Sequence, residues 1–166
     1  ADRDFIPTNL RLGSAFNMEI DDYNEFTFAF DMNKLLVPTQ PVYHQENGAV
    51  VYGPDNSPII YSGRDPNPAL PSGIFGSFSD APGNVIIDEN GNTVGVEDGS
   101  RFKEELNEIN LSIGAEYIYS HLFAIRAGYF HEHPTKGNRR FLSMGAGVKY
   151  KVLELDLSYL LALTQQ

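Results

Sequence analysis

The sequence predicts an all-β protein, a partial transmembrane antiparallel up-and-down β-barrel of about six strands with one long external loop. Three observations predict it. Six segments of about ten residues alternate apolar and polar side chains with period two, the period that separates the two faces of a strand. No run of about 18 apolar residues exists, so any membrane crossing has to be made by strands. The connections between the six segments alternate short and long, the asymmetry of outer-membrane barrels, with short turns on one side and long loops on the other.

The segments follow in order. Thr8–Ile20 sets Leu10, Leu12, Phe16, Met18 and Ile20 against Asn9, Arg11, Gly13, Asn17 and Glu19. Asp21-Asp22-Tyr23-Asn24 is turn chemistry. Glu25–Val37 returns with Phe26, Phe28, Phe30 and Met32 opposite Thr27, Ala29, Asp31 and Asn33, completing a hairpin. After a long insert, Ile109–Tyr119 places Ile109, Leu111, Ile113, Ala115, Tyr117 and Tyr119 against Asn110, Ser112, Gly114 and Glu116. A tight turn at Ser120-His121 leads to Phe123–Tyr129, where Arg126 faces away from Phe123, Ile125, Ala127 and Tyr129. The longer connection His133-Pro134-Thr135-Lys136-Gly137-Asn138 precedes Phe141–Tyr150, with Leu142, Met144, Ala146, Val148 and Tyr150 opposite Ser143, Gly145, Gly147 and Lys149. A tight turn near Lys151 gives Leu153–Leu163, with Leu153, Leu155, Leu157, Tyr159 and Leu161 against Glu154, Asp156 and Ser158.

The insert is of another kind. Pro38 to Ser100 holds eight of the ten prolines and nine of the fifteen glycines, a density that sustains neither a central strand nor a helix. Within it, Val85–Val96 reads as a small hairpin about a type I′ turn at Asn90-Gly91. Ile59, Ile60, Tyr61, Leu70, Ile74, Phe75 and Phe78 are too apolar for a disordered linker. Residues 38–104 are therefore expected to form a folded extracellular loop within a single barrel fragment spanning 1–166. Ile59, Tyr61, Ile74, Phe75 and Phe78 are its candidate protein-docking residues, and the alternative is that they pack the loop on itself.

Charge sharpens this picture. The formal net charge is −10, which argues against nucleic acid as a partner. Between Pro38 and Glu104 stand nine acids and three bases, so most of the surplus sits on the insert. The ribbons are nearly balanced, and their carboxylates share a face with bases, as in charge pairing across a lumen. Tyr23, Tyr117, Tyr119 and Tyr150 gather at the short-turn end, where an interfacial aromatic girdle would lie. A soluble lipocalin-type barrel is the competing architecture. The chain begins at Ala1-Asp2-Arg3 without a signal peptide, and six ribbons are fewer than the eight a bacterial barrel needs. Further strands are expected before Thr8 and after Gln166.

No enzyme is expected. There is no nucleophile elbow, phosphate-cradling loop or nucleophile–base pair, and zero cysteines exclude disulfides and thiolate metal sites. His131-Glu132-His133 puts two histidines on one face of a strand end, with His44 the remaining candidate third ligand, but solvated rim histidines are the commoner outcome. Asp88-Glu89-Asn90-Gly91-Asn92 lacks the glycine and closing glutamate of a calcium loop and reads as a turn. No catalytic, cofactor-binding or metal residue is assigned.

Four blocks carry a family resemblance. They are Asn33-Lys34-Leu35-Leu36-Val37-Pro38; Gly73-Ile74-Phe75-Gly76-Ser77-Phe78-Ser79-Asp80-Ala81-Pro82-Gly83; the run from Phe102 to Tyr117; and Phe123-Ala124-Ile125-Arg126-Ala127-Gly128-Tyr129-Phe130 followed by Lys136-Gly137-Asn138-Arg139. Together they resemble the C-terminal half of the PorV (LptO) outer-membrane proteins of the type IX secretion system, within the FadL-like barrel group. The resemblance implies a non-enzymatic subunit of the bacterial outer membrane with loops at the cell surface and no cofactor. It would sit in the lipid bilayer with lipopolysaccharide and associate with the outer-membrane translocon. It would bind the C-terminal signal domain of secreted cargo and pass it to the PorU-type attachment complex. The alternative within the group is a transporter of hydrophobic small molecules.

Overall fold

The structure, a computed structural model, describes residues 8–163; Ala1-Asp2-Arg3 and Thr164–Gln166 lie outside the described residues. The described chain is mostly β, and it divides into two compact units: residues 11–34 with 109–163, and residues 8–10 with 35–108.

The first unit is built on one antiparallel six-stranded sheet. Its strands are β1 (Asn9–Asp21), β2 (Asn24–Leu35), β9 (Ile109–Tyr119), β10 (Phe123–His131), β11 (Arg140–Tyr150) and β12 (Leu153–Ala162), in the spatial order β1-β2-β9-β10-β11-β12. These are the six expected ribbons, with ends shifted by a residue or two. Among the described residues the sheet is open, with β1 and β12 at its edges. Each strand runs 9 to 13 residues, the length that crosses a bilayer when tilted.

The register fixes the faces. One row runs Phe26, Tyr117, Ile125, Ala146, Leu157, and the next runs Thr27, Glu116, Arg126, Gly145, Ser158. A one-residue slip would exchange these faces, so the alternation itself specifies the pairing. Nineteen large side chains on the apolar face are each more than a third exposed; Leu157 stands at 68% and Ile113 at 55%. If each forgoes roughly 1 kcal/mol by facing water, the total, about 20 kcal/mol, exceeds the 5–15 kcal/mol by which a domain is stable. The face needs an apolar medium or an apolar partner over it. Among the described residues, no helix is long and apolar enough to cross a membrane.

The turns follow the expected alternation. The β1–β2 turn is an Asx turn, in which Asp21 Oδ1 accepts the backbone N–H of Tyr23 at 2.8 Å and of Asn24 at 2.9 Å. The β9–β10 turn holds Ser120 and His121 both at φ 53°. Leu122 N–H donates to Tyr119 O at 3.0 Å, which closes a type I′ turn.

The second unit contains the insert. Its elements are β3 (Val42–Tyr43), β4 (Gln45–Glu46), β5 (Ala49–Val50), β6 (Ile60–Ser62), α1 (Leu70–Gly76), β7 (Val85–Ile87), β8 (Thr93–Val96) and α2 (Ser100–Asn107). The strands pair as β3–β6, β4–β5 and β7–β8.

Two expectations for the insert need correction. Helices do form in and beside the proline-rich stretch. Pro71 sits in the first turn of α1, where its missing N–H has no partner to lose. The β7–β8 turn is also not the type I′ turn expected at Asn90-Gly91. Gly91 N–H donates to Asp88 O at 3.0 Å, and only Gly91 takes positive φ there, at 82°. Asp88 Oδ1 captures the N–H groups of Asn90 and Asn92 at 2.9 and 2.8 Å, and that shapes a longer turn. The type I′ hairpin of the insert lies instead at Asn47 (φ 51°) and Gly48 (φ 74°), between β4 and β5.

Candidate functional site

The insert is organised about a buried polar spine. Ser77, Asp80, Ala81, Pro82 and Gly83 are all buried. A strand-like segment without a strand beside it must find other acceptors for its N–H groups. Carboxylates supply them. Glu105 Oε1 accepts the Ala81 N–H at 2.9 Å, and Glu104 Oε2 accepts the Gly83 N–H at 2.8 Å. Asp80 Oδ2 accepts the Thr39 N–H at 3.0 Å, and the Thr39 hydroxyl donates to Glu108 Oε1 at 3.0 Å. Ser62 Oγ donates to Pro82 O at 2.5 Å and accepts from Arg101 Nη2 at 3.0 Å. Gly83, at φ 74°, leaves no room for a Cβ, which would lie 2.6 Å from Ser100 Oγ and 3.0 Å from Arg101 N.

This spine holds α1 and the residues just beyond it, and it separates the five candidate docking residues. Phe75 is 77% exposed and Phe78 47% exposed, flanking the buried Ser77. Ile59, just before β6, is exposed as well. Ile74 is half-buried on α1. Tyr61 is half-buried on β6, where its ring stacks on His44 with centroids 5.6 Å apart. Tyr61 and Ile74 thus pack the insert in part, and Phe75, Phe78 and Ile59 face outward. Sequence reasoning passed over Phe102 on α2 and Ile86, Ile87 and Val94 of the β7–β8 hairpin, all of them exposed. Adjacent isoleucines in a segment of period two do signal a strand apolar on both faces.

The polar face of the sheet is the second candidate region. Arg126 donates to Glu116 on the neighbouring β9 and to Asp156 on β12, across the intervening β11. Arg11 lies 3.4 Å from Asp31, and Lys149 lies 3.8 Å from Glu154. Toward the end where β10 leads into residues 132–139, the same face turns apolar. Phe130 and Phe141 stack at 6.0 Å between centroids, and Leu160 is exposed nearby in the register.

The connection between β10 and β11 is pinned from inside. Glu132, 4% exposed, accepts Arg139 Nε at 2.7 Å and Nη2 at 2.8 Å, a bidentate pair. The hydrogen bonds from Arg139 hold the Glu132 carboxyl below its usual range against the opposing effect of burial. Nearby, His131 Nδ1 stands 3.3 Å from the Tyr129 hydroxyl and His133 Nδ1 stands 2.9 Å from Thr135 Oγ1. His44 is engaged elsewhere, its Nδ1 2.5 Å from Thr93 Oγ1. Among the described residues, the one group able to offer three ligand atoms to a metal is Asp80, Glu105 and Glu108, with oxygens within 4.8 Å of one another. The contacts described above show these carboxylates fastening the spine.

The comparisons with known proteins bear on one part of the chain. Residues 1–42, which contain β1, β2 and the first residues of the insert, match the family model described as type IX secretion system protein PorV. The match takes in the Asn33–Pro38 block, and the other three blocks lie beyond it. No curated protein matches. Over its first quarter the chain is similar to a type IX secretion protein.

Proposed function

We propose that this chain is part of a bacterial outer-membrane β-barrel of the type IX secretion system. In this reading it binds the C-terminal signal domain of secreted cargo and moves it from the translocon to a PorU-type attachment complex, without covalent chemistry. The apolar face of the sheet meets lipid, the polar face lines a lumen, and the insert 38–104 lies at the cell surface with lipopolysaccharide. The PorV match over β1 and β2 supports the secretion context. The observation that carries cargo binding is the outward placement of Phe75 and Phe78 beside a hydrogen-bonded spine, which Ser77 joins to α1 by donating to Ile74 O at 2.8 Å. Exposed aromatics on a pre-ordered scaffold lose little entropy when a partner covers them, which suits them as binding anchors.

The test is affinity of the full-length protein in detergent micelles for a purified cargo C-terminal domain. Phe75→Ala with Phe78→Ala should weaken binding at least about tenfold, the range of a two-aromatic anchor. Unchanged affinity removes this loop from the mechanism.

The transporter reading has one observation in its favour, the Phe130–Phe141 stack with Leu160 on the otherwise polar face. It predicts that a hydrophobic small molecule co-purifies with the protein and is lost in Phe130→Asp. Mass spectrometry of solvent extracts decides it.

A further inference from the structure

We infer that the β7–β8 hairpin is a second docking surface, and that its partner is a polypeptide presenting apolar side chains among lysines or arginines. It rests on the cargo reading only for the choice of one probe.

Three observations on the hairpin support this. Ile86, Ile87 and Val94 are each half-exposed, at 50%, 51% and 55%. Ile86 and Ile87 are consecutive on a strand, so apolar surface projects from both faces of a two-stranded ribbon. Such a ribbon cannot bury both faces against its own unit, and a partner can wrap it.

Charge then selects the partner. Residues 84–99 carry four acids and no base. Asp88 is consumed by the turn, where it accepts from Asn90 and Asn92. Glu89 at the tip and Glu97 and Asp98 at the base are exposed, and none forms an ion pair among the described residues. Arg101, the nearest base in sequence, is turned to Ser62. The apolar strip is therefore bracketed at both ends by unneutralised carboxylates. An anionic membrane surface would be repelled by that bracket, and a surface of apolar and cationic side chains is complementary to it in both respects.

The experiment uses the full-length protein in phosphatidylcholine nanodiscs and two probes: a cargo C-terminal domain, and a synthetic peptide of alternating leucine and lysine. Binding of either is expected to fall about tenfold in Glu89→Lys/Glu97→Lys/Asp98→Lys, and by a similar factor for the unaltered protein in 0.5 M NaCl. Ile86→Ser/Ile87→Ser should give a comparable loss. If the cargo domain binds and only Phe75→Ala/Phe78→Ala weakens it, the cargo reading stands and this surface falls. If the peptide binds through the hairpin and the cargo domain does not bind at all, this surface stands and the cargo reading falls. Hairpin-dependent attachment to phosphatidylglycerol vesicles, or no hairpin-dependent binding of either probe, overturns the inference.

Discussion

Arg126 and Asp156 meet across a strand that belongs to neither of them. Arg126 is on β10 and Asp156 on β12, and Gly147 of β11 lies between, opposite Asp156 in the register. The bridge needs that glycine, because a Cβ there would sit 3.3 Å from Arg126 Nη1 and crowd the Asp156 carboxylate. Both side chains are more than a third exposed, so solvent screening limits the pair to about 0.5–1 kcal/mol. A double-mutant cycle of Arg126→Ala and Asp156→Ala, read by denaturant unfolding in vesicles, should return a coupling of that size. Repeated on a Gly147→Val background, the coupling should vanish.

The apolar face gives a larger effect. Leu157 lies mid-strand on β12, in the row of Ile125 and Ala146, and is 68% exposed. If lipid covers this face, Leu157→Arg should destabilise the membrane-inserted protein by about 2–4 kcal/mol. Ser158→Arg, one residue on and facing the other way, should cost less than about 1 kcal/mol. Equal penalties at the two positions would mean that this face does not meet lipid.

These faces were legible in the sequence because period-two patterning and strand register are the same information. Leu153 to Leu161 cannot alternate as they do and pair otherwise without turning charge onto the apolar face. The alternation of short and long connections was legible for the same reason. The insert was not, because its order comes from side-chain carboxylates bonding backbone N–H groups 21 to 41 residues away, as Glu104 does to Gly83 and Asp80 to Thr39. No local period announces such a network. The two Asn-Gly pairs show the limit of turn signals: Asn47-Gly48 forms the type I′ turn, and at Asn90-Gly91 the nearby Asp88 carboxylate captures the backbone and imposes another geometry. Of the docking candidates, outward Phe75 and inward-packed Tyr61 were indistinguishable by composition.

The β9–β10 turn should be improvable. Ser120 and His121 both occupy the left-handed region, which L side chains other than asparagine enter at a cost and glycine enters freely. Replacing Ser120-His121 with Asn-Gly keeps the type I′ geometry and should stabilise by about 0.5–1 kcal/mol per position. The midpoint of chemical denaturation should rise with an unchanged slope. A fall would mean that one of these side chains supports the turn.

The pairing of buried Glu132 with the exposed Arg139 sets a pH dependence whose sign follows from the lowered Glu132 carboxyl. A carboxyl depressed in the folded state binds its proton less readily than in the unfolded chain. Its stabilisation is therefore complete above the ordinary value of 4.5 and is lost as pH falls below that value toward the depressed one. Hydrogen exchange of the Arg139 amide, which donates to Glu132 Oε2 at 3.3 Å, should lose protection in that acid window and be flat between pH 6 and about 8. Glu132→Gln should abolish the acid-dependent loss. Gly137→Ala should mimic acid at neutral pH, because Gly137 adopts φ 151° and a Cβ there would lie 2.7 Å from Glu132 Cδ, forcing the carboxylate off Arg139. An equal loss of protection in acid in Glu132→Gln and in the unaltered protein would show that this carboxylate does not hold the connection.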